Sequence, residues 1–425
     1  MPSDIITIHS RVSPDLHTPD PTGPLFEDNR FEDTEPQHEP EEPPQPIVEK
    51  LHLPNRIALH VTTDGRDDCK VDFECNHLRW GIEISSSSTY PTLHDDVLSF
   101  RYYSNEDNQE EYALFKVWVM LFWYFQLPAP PAELIPNKQG SPRGSWQVHF
   151  NNTGPFFKLA NLQAVEAAGL VSFPDSGAAS GEWIGAYATR VGFWQLPPEP
   201  FLSPVCAAKK PLRMPKPVEY TFTDRVRHPV RPRPQPNGDM YTRWISSFGQ
   251  FLTFRLADLD EDTEVVHRWM NDPRVAMFWG EEADDLEKTR SFLKKGLGSK
   301  HFFPIIGCWD DEPFGYFEVY WVKEDALGRY ASDVDMWDRG VHCLVGEQKF
   351  RGPQRVGVWI SSLVHFMFLD DPRTQTVMLE PRVDNTKFIK YLMDAGFYKE
   401  KEFAFPHKQA ALLKLKREAW EGPLC

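Results

Sequence analysis

The sequence predicts a mixed α/β protein, and three observations carry that prediction. Strand-like alternation and helical spacing interleave along the second half of the chain in the order β-α-(α)-β-β-β-α-β-α-β-β, the pattern of helices packed on a sheet. Hydrophobic residues make up 41% and aromatic residues 13% of the 425 residues, enough to fill a large core. Charged residues are 25%, the share of an ordinary globular protein. At about 150 residues per domain, this length implies two or three domains.

Residues 1–50 hold twelve acidic residues, three basic residues and ten prolines. Such a stretch cannot bury enough apolar surface to offset its ordering entropy. It predicts a disordered, solvated tail over 1–46. A first domain is expected over 47–194. Its strand-like text is Ile57–Thr63, closed by the turn pair Asp64-Gly65. Glu110–Leu127 has helical spacing with a broad apolar arc, so Trp118, Trp123 and Tyr124 are expected in its core. Residues 195–250 read as a proline-rich basic connector. Eleven prolines and eight basic residues fall between Pro197 and Pro236, and proline removes backbone donors, so no helix or central strand is expected there.

The second domain is expected over 251–425. Strands are read at 251–256, 302–309, 313–322, 340–346, 374–380, 397–404 and 410–416. Helices are read at 260–271, 356–368 and 385–395, the last ended by Gly396. The turn Asp310-Asp311-Glu312 joins the second and third strands.

Composition excludes several classes. The net charge of −16 argues against a nucleic-acid partner, because phosphate backbones attract basic surfaces. The six cysteines are scattered without a C-x-x-C pair, so neither a disulfide framework nor a structural metal site is expected. The first 24 residues lack a signal-peptide core. The longest apolar run, Val117–Phe125, is far short of the roughly 20 residues a membrane span needs. No membrane partner is expected.

Chemistry concentrates in two places. Val341-His342-Cys343-Leu344-Val345-Gly346 is a strand leading into Phe350-Arg351-Gly352-Pro353 and a helix. The N–H groups at such a helix start, with its dipole, make an anion cradle, and Arg351 and Arg355 add cations. The second place is Asp384-Asn385 opening a helix that runs through Ile389 and Leu392 to Gly396-Phe397.

Together these elements resemble the GCN5-related N-acetyltransferase (GNAT) superfamily, although Gln354 stands where the superfamily loop has its second small residue. Further blocks resemble the siderophore-biosynthesis acyltransferases of N-hydroxyornithine and N-hydroxylysine. They are Asn271-Asp272-Pro273-Arg274-Val275, Phe278-Trp279-Gly280-Glu281, Gly315–Trp321, Phe368–Thr374, Glu380–Asn385 and Phe405–Ala410. The proline-rich connector and first domain are similar to those of the longer fungal members.

The resemblance implies tandem GNAT-like domains, each a twisted mixed sheet flanked by helices, the first a degenerate copy. It implies acyl transfer from acetyl-CoA or anhydromevalonyl-CoA to N5-hydroxyornithine, giving a hydroxamate, with no metal. Leu344, Val345, Gly346, Arg351, Gly352, Arg355 and Asn385 are then expected to hold the CoA. Trp279, Glu318, Tyr320, Trp321 and His407 are expected to meet the acceptor, and Lys408 is a candidate for a carboxylate or a phosphate. Contact with other enzymes of the siderophore pathway would follow. The compartment expected is the cytoplasm, or the peroxisome of some fungal relatives, although Gly422-Pro423-Leu424-Cys425 lacks the Ser-Lys-Leu address.

The residues support the chemistry in their own right. Acyl transfer from a thioester needs a proton acceptor and an oxyanion donor. His342 lies one step before the cradle and is expected to act as base with an ordinary pKa. A hydroxylamine is already neutral near pH 7, so that task is light. Asp384 is expected to orient His342 or the acceptor, and alternation puts Glu318 and Tyr320 on one face. Two other readings compete. His60-Val61-Thr62-Thr63-Asp64-Gly65 fits the H-x-x-x-D-G of condensation domains and plant-type acyltransferases, but their Asp-Phe-Gly-Trp-Gly partner is missing. The non-enzyme alternative is a degenerate acyltransferase fold serving as a CoA-binding scaffold.

Overall fold

The structure is a computed structural model describing residues 46–63, 70–86, 96–101, 112–127, 147–151, 159–173, 186–202, 217–234, 238–281 and 283–424. Residues 1–45 of the expected tail, the Asp64-Gly65 turn and residues 203–216 of the expected connector lie outside the described residues.

The first sheet runs in chain order: β1 (Ile47–His52), β2 (Ala58–Thr63), β3 (Lys70–Cys75), β4 (Leu78–Ser86), β5 (Asp96–Arg101), β6 (Gln147–Asn151) and β7 (Tyr187–Thr189). Neighbours are antiparallel except β5 and β6, which are parallel. A parallel pair needs a crossover, and α1 (Ala113–Tyr124) lies in it. Trp118, Trp123 and Tyr124 are buried, as are nearly all residues of α1, which is why its apolar arc is so broad. Helices α2 (Leu159–Ala167), α3 (Arg190–Trp194) and α4 (Glu199–Leu202) complete this half.

The expectation of a connector over 195–250 without helix or central strand is corrected, beginning with the short helix α4. β8 (Tyr220–Thr223) and β9 (Val226–Pro229) form a two-stranded hairpin. β10 (Asp239–Ile245) belongs to the second sheet, paired with β11 (Gln250–Leu256), so that sheet begins well before 251. The prolines fall where they do least harm. Pro200 is in the first turn of α4 and Pro229 ends β9, positions where a missing N–H is tolerated.

The second sheet continues with β12 (Phe302–Trp309), β13 (Glu312–Trp321), β14 (Arg339–Val345), β15 (Thr376–Leu379), β16 (Tyr398–Ala404) and β17 (Gln409–Lys416). Their spatial order is β10-β11-β12-β13-β14-β15-β17-β16. Again one pair, β14 and β15, is parallel. The crossover between them holds α8 (Pro353–Asp370), so this half repeats the plan of the first. Helices α5 (Leu259–Met270), α6 (Pro273–Trp279), α7 (Leu286–Gly298) and α9 (Thr386–Asp394) complete it.

Alternation sorts the two faces. Ile306 and Cys308 of β12 pack with Val266 and Trp269 of α5 and Leu293 of α7. Ile305 and Trp309 belong to the core that includes Trp359 and Leu363 of α8. Asp258, Asp272 and Asp285 start α5, α6 and α7 by accepting hydrogen bonds from backbone N–H groups of the first turn.

The halves meet along a polar seam. His365 on α8 donates from Nε2 to the Trp194 carbonyl (2.7 Å) and accepts at Nδ1 from the Tyr241 hydroxyl (2.8 Å). Arg190 donates to the carbonyls of Glu421 and Pro423, and Arg56 forms a two-bond pair with Asp311.

Candidate active site

The site grows from a parting of strands. The ladder between β14 and β15 holds only Arg339–Val377 and Gly340–Met378. Beyond Gly340, β14 carries on to Val345 paired with β13 alone. His342 lies on this open stretch, opposite Glu318, and its side chain keeps 38% of its surface exposed.

Two carboxylates grip the ring. Nδ1 is 3.0 Å from Glu318 Oε2 and Nε2 is 2.9 Å from Glu380 Oε1. Each carboxylate is itself held. The Tyr316 hydroxyl donates to Glu318 (3.0 Å) and the Tyr320 hydroxyl donates to Glu380 (2.8 Å). Lys408 Nζ donates to the Glu380 carbonyl at 2.8 Å and lies 3.5 Å from its carboxylate. The Tyr320 ring leans on the imidazole with centroids 4.7 Å apart, and Trp279 presents its edge at 6.3 Å. Gly340 makes the Tyr320 position possible, because a Cβ there would lie 2.1 Å from the phenol ring.

This surrounding corrects the expectation of an ordinary histidine. Partial burial lowers its pKa, but Glu380 and Glu318 push it up to about 10. Burial would raise the Glu380 carboxyl, and the neighbouring His342 and Lys408 bring it down to about 2. At neutral pH the ring is therefore an imidazolium, both of whose N–H groups donate to carboxylates. Burial raises both tyrosines, keeping them protonated donors, and pushes the Cys343 thiol up to about 12.

The other expected residues divide. Trp279, Glu318 and Tyr320 meet at His342. Trp321 does not: it lies on the opposite face, under the Arg339 guanidinium at 4.0 Å and edge-on to Trp337, because neighbouring strand residues point to opposite faces. His407 is exposed and stacks on Phe405. Asp384 does not orient His342, whose two nitrogens are taken. It is bound instead by Arg382, at 3.0 and 2.6 Å. Asn385 caps α9 without a side-chain bond. Sequence reasoning missed Glu380. It left two traces: it opens the family-like block Glu380–Asn385, and it is a charged residue directly after the wholly buried strand Thr376–Leu379.

The cradle is also rearranged. Arg351 turns inward and donates to the carbonyls of Val345 and Gly346, both at 3.0 Å, and to Asp272. Arg355 lies over Phe248, Trp309 and Phe350 and donates to Gln250. Both arginines shape the loop rather than offer their charge outward. What remains for an anion is the start of α8 itself, where Gly352 at φ 137° precedes the exposed residues Pro353 and Gln354. An 18-residue helix presents its partial positive charge there. Leu344 pairs with Tyr316 and Val345 with Gly315, while the Gly346 N–H donates to Phe314. Gly346 is bare because the Trp269 ring lies where a Cβ would be. The rival His60 is exposed on β2.

Known proteins show matching features. The acetyltransferase (GNAT) domain family matches residues 258–405. An N5-hydroxyornithine acetylase of Beauveria bassiana is 29% identical, the match covering 75% of this chain and 82% of that one. An N(6)-hydroxylysine O-acetyltransferase of Escherichia coli is 42% identical over 54% of this chain and 69% of its own. An N(5)-hydroxyornithine:cis-anhydromevalonyl coenzyme A-N(5)-transacylase of Beauveria bassiana is 44% identical over 45% of this chain and 42% of its own.

Proposed function

The chain belongs to the GNAT-fold acyltransferases of hydroxylated ornithine and lysine, and on that premise we propose that it transfers an acyl group from acyl-CoA to N5-hydroxyornithine. The product is a hydroxamate of the kind siderophores use to chelate iron. The observation that carries the reading is the Glu318–His342–Glu380 network, set where β14 parts from β15 and one turn of chain before the α8 cradle.

The chemistry follows from that placement. The thioester enters between the parted strands, with its pyrophosphate at the start of α8. The neutral hydroxylamine nitrogen attacks the thioester carbonyl, forming the C–N bond. As the C–S bond breaks, the nitrogen gives up its proton and the departing thiolate takes one. The network serves both transfers. Its imidazolium carries two N–H protons, one toward each carboxylate, and as it gives a proton to the thiolate the network takes up the one the nitrogen releases. A backbone N–H on the edge of β14 that β15 leaves unpaired beyond Gly340 stabilises the carbonyl oxygen as it gains charge.

The test is thiol release with N5-hydroxyornithine, offering acetyl-CoA and a branched C6 acyl-CoA in parallel. Ornithine and hydroxylysine serve as controls. Ferric-hydroxamate colour separates N-acyl from O-acyl product. Release with hydroxyornithine and not with ornithine is expected, and the preferred thioester names the acyl group. CoA binding without release from any acceptor overturns the enzymatic reading in favour of a scaffold.

A further inference from the structure

The proposed acceptor ends in a zwitterion. Its α-carboxylate and α-ammonium lie roughly 6 Å from the reacting nitrogen, the length of a three-carbon side chain. A site that selects amino acids must meet that charge pair. Most groups near His342 are already engaged. Glu318 holds His342 and Tyr316, Tyr320 donates to Glu380, and Lys408 is tied to Glu380.

Arg382 differs. It is two residues beyond Glu380, and its side chain is 38% exposed. Its Nε and Nη2 donate to Asp384 at 3.0 and 2.6 Å. Its Nη1 reaches the Met277 carbonyl only at 3.5 Å, and the guanidinium lies 5.5 Å from the Phe278 ring. Met277 and Phe278 belong to α6, the helix whose Trp279 faces His342. Arg382 therefore bridges the β15–α9 loop and α6, two segments that each reach His342, through Glu380 and Trp279. A guanidinium has five N–H donors. Two go to Asp384 and one makes the long reach to Met277, which leaves others for a ligand. Asp384 is 51% exposed and has lone pairs to offer an ammonium.

We propose that Arg382, held in place by Asp384, binds the α-carboxylate of the acceptor and so selects hydroxylated amino acids over hydroxylated simple amines. The inference rests on the reading above that the acceptor is a side-chain-hydroxylated amino acid. A planar guanidinium suits the task, since its paired donors match a carboxylate as an ammonium does not. The adjacent Asp384 carboxylate makes the receptor a charge pair, complementary to the charge pair of the ligand.

The experiment compares two acceptors that differ only in the α-carboxylate: N5-hydroxyornithine and N-hydroxyputrescine. Wild type, Arg382→Gln and Arg382→Lys are assayed by thiol release with acyl-CoA saturating. Arg382→Gln is expected to raise KM for hydroxyornithine about 10- to 100-fold, the loss of a charged hydrogen bond. It should leave kcat, KM for acyl-CoA and all parameters for hydroxyputrescine within about twofold, inside the scatter of surface substitutions. Arg382→Lys should recover part of the loss. Retained turnover of hydroxyputrescine shows that the variant is folded. Equal effects on both acceptors, or none on either, overturn the assignment while leaving the acyl-transfer reading intact. Absence of turnover by the wild type with both acceptors overturns that reading, and the assignment with it.

Discussion

An imidazole clamped by two carboxylates behaves differently from a free one, and His342 makes the difference measurable. Its ring should be protonated through neutral pH, with both nitrogens bearing protons in 15N NMR at pH 7.5. Glu380→Gln removes one of its two charge partners, so the ring's titration should move down toward the ordinary 6.5. An unchanged titration would show that Glu380 does not set the charge. The linkage has a definite sign. The raised pKa of His342 contributes stability that is whole below pH 6.5 and fades as the pH rises toward about 10. The lowered pKa of Glu380 contributes stability that is whole above 4.5 and fades as the pH falls toward about 2. The network's contribution to stability is thus whole between those ordinary values and fades on either side, while the folded network itself stays charged until the pH nears about 10 or about 2. For catalysis, His342→Ala should lower kcat/KM by about 10²- to 10⁴-fold, the range of a lost acid–base group, with KM for acyl-CoA little changed. An intact rate would remove the network from the mechanism.

The elements explain how these side chains are brought together and how much of that was readable beforehand. Gly340 stands opposite Tyr320, and the phenol crosses the bare backbone to reach Glu380. Gly340→Ala should force that ring aside, costing about 1–3 kcal/mol of stability by overpacking and reducing turnover. Tyr320→Phe, which keeps the ring and loses only the hydroxyl, should be milder in urea unfolding. Equal stability of Gly340→Ala and wild type would mean that the ring has another place to go. Strands β12 and β13 were legible because continuous apolar and aromatic runs, buried on both faces, are separated by the turn Asp310-Asp311-Glu312: β12 is found at Phe302–Trp309 as read, and β13 within one residue. Alternation also put Glu318 and Tyr320 on one face, yet it equally excludes Trp321, which the family pattern had suggested. Helix α6 was not read as a helix, because seven residues are too few to show a period. β10 was hidden by the prolines that precede it. Glu380 meets His342 across 38 positions of sequence, and no local pattern reports a partner that distant. The inward turn of Arg351 was hidden for the same reason, since its Asp272 partner is 79 positions away.

At the scale of the whole molecule, the seam between the halves carries its own titration. His365 is buried and uncharged, donating to Trp194 and accepting from Tyr241. Burial, with Arg243 nearby, holds its pKa down to about 3. The folded state therefore refuses a proton that the unfolded chain accepts near 6.5. The resulting stability is present above pH 6.5 and is lost as the pH falls toward 3. Urea unfolding of the wild type should weaken more steeply between pH 6.5 and 5 than that of His365→Gln. Parallel curves would show that the seam does not sense protons. The same seam governs how the chain comes together in time. Its contacts join residues 171, 233 and 255 positions apart, and closing such long loops must precede any reward from the contacts they make. Each sheet can nucleate on its own hairpins, but Arg190 acquires its carbonyl partners only when residues 421–423 arrive. During synthesis the Arg190 part of the docking face must wait until residues 421–423 have left the ribosome. Docking is thus expected as the slow, late phase of refolding, and truncation before Glu421 should lengthen it more than any substitution inside either sheet.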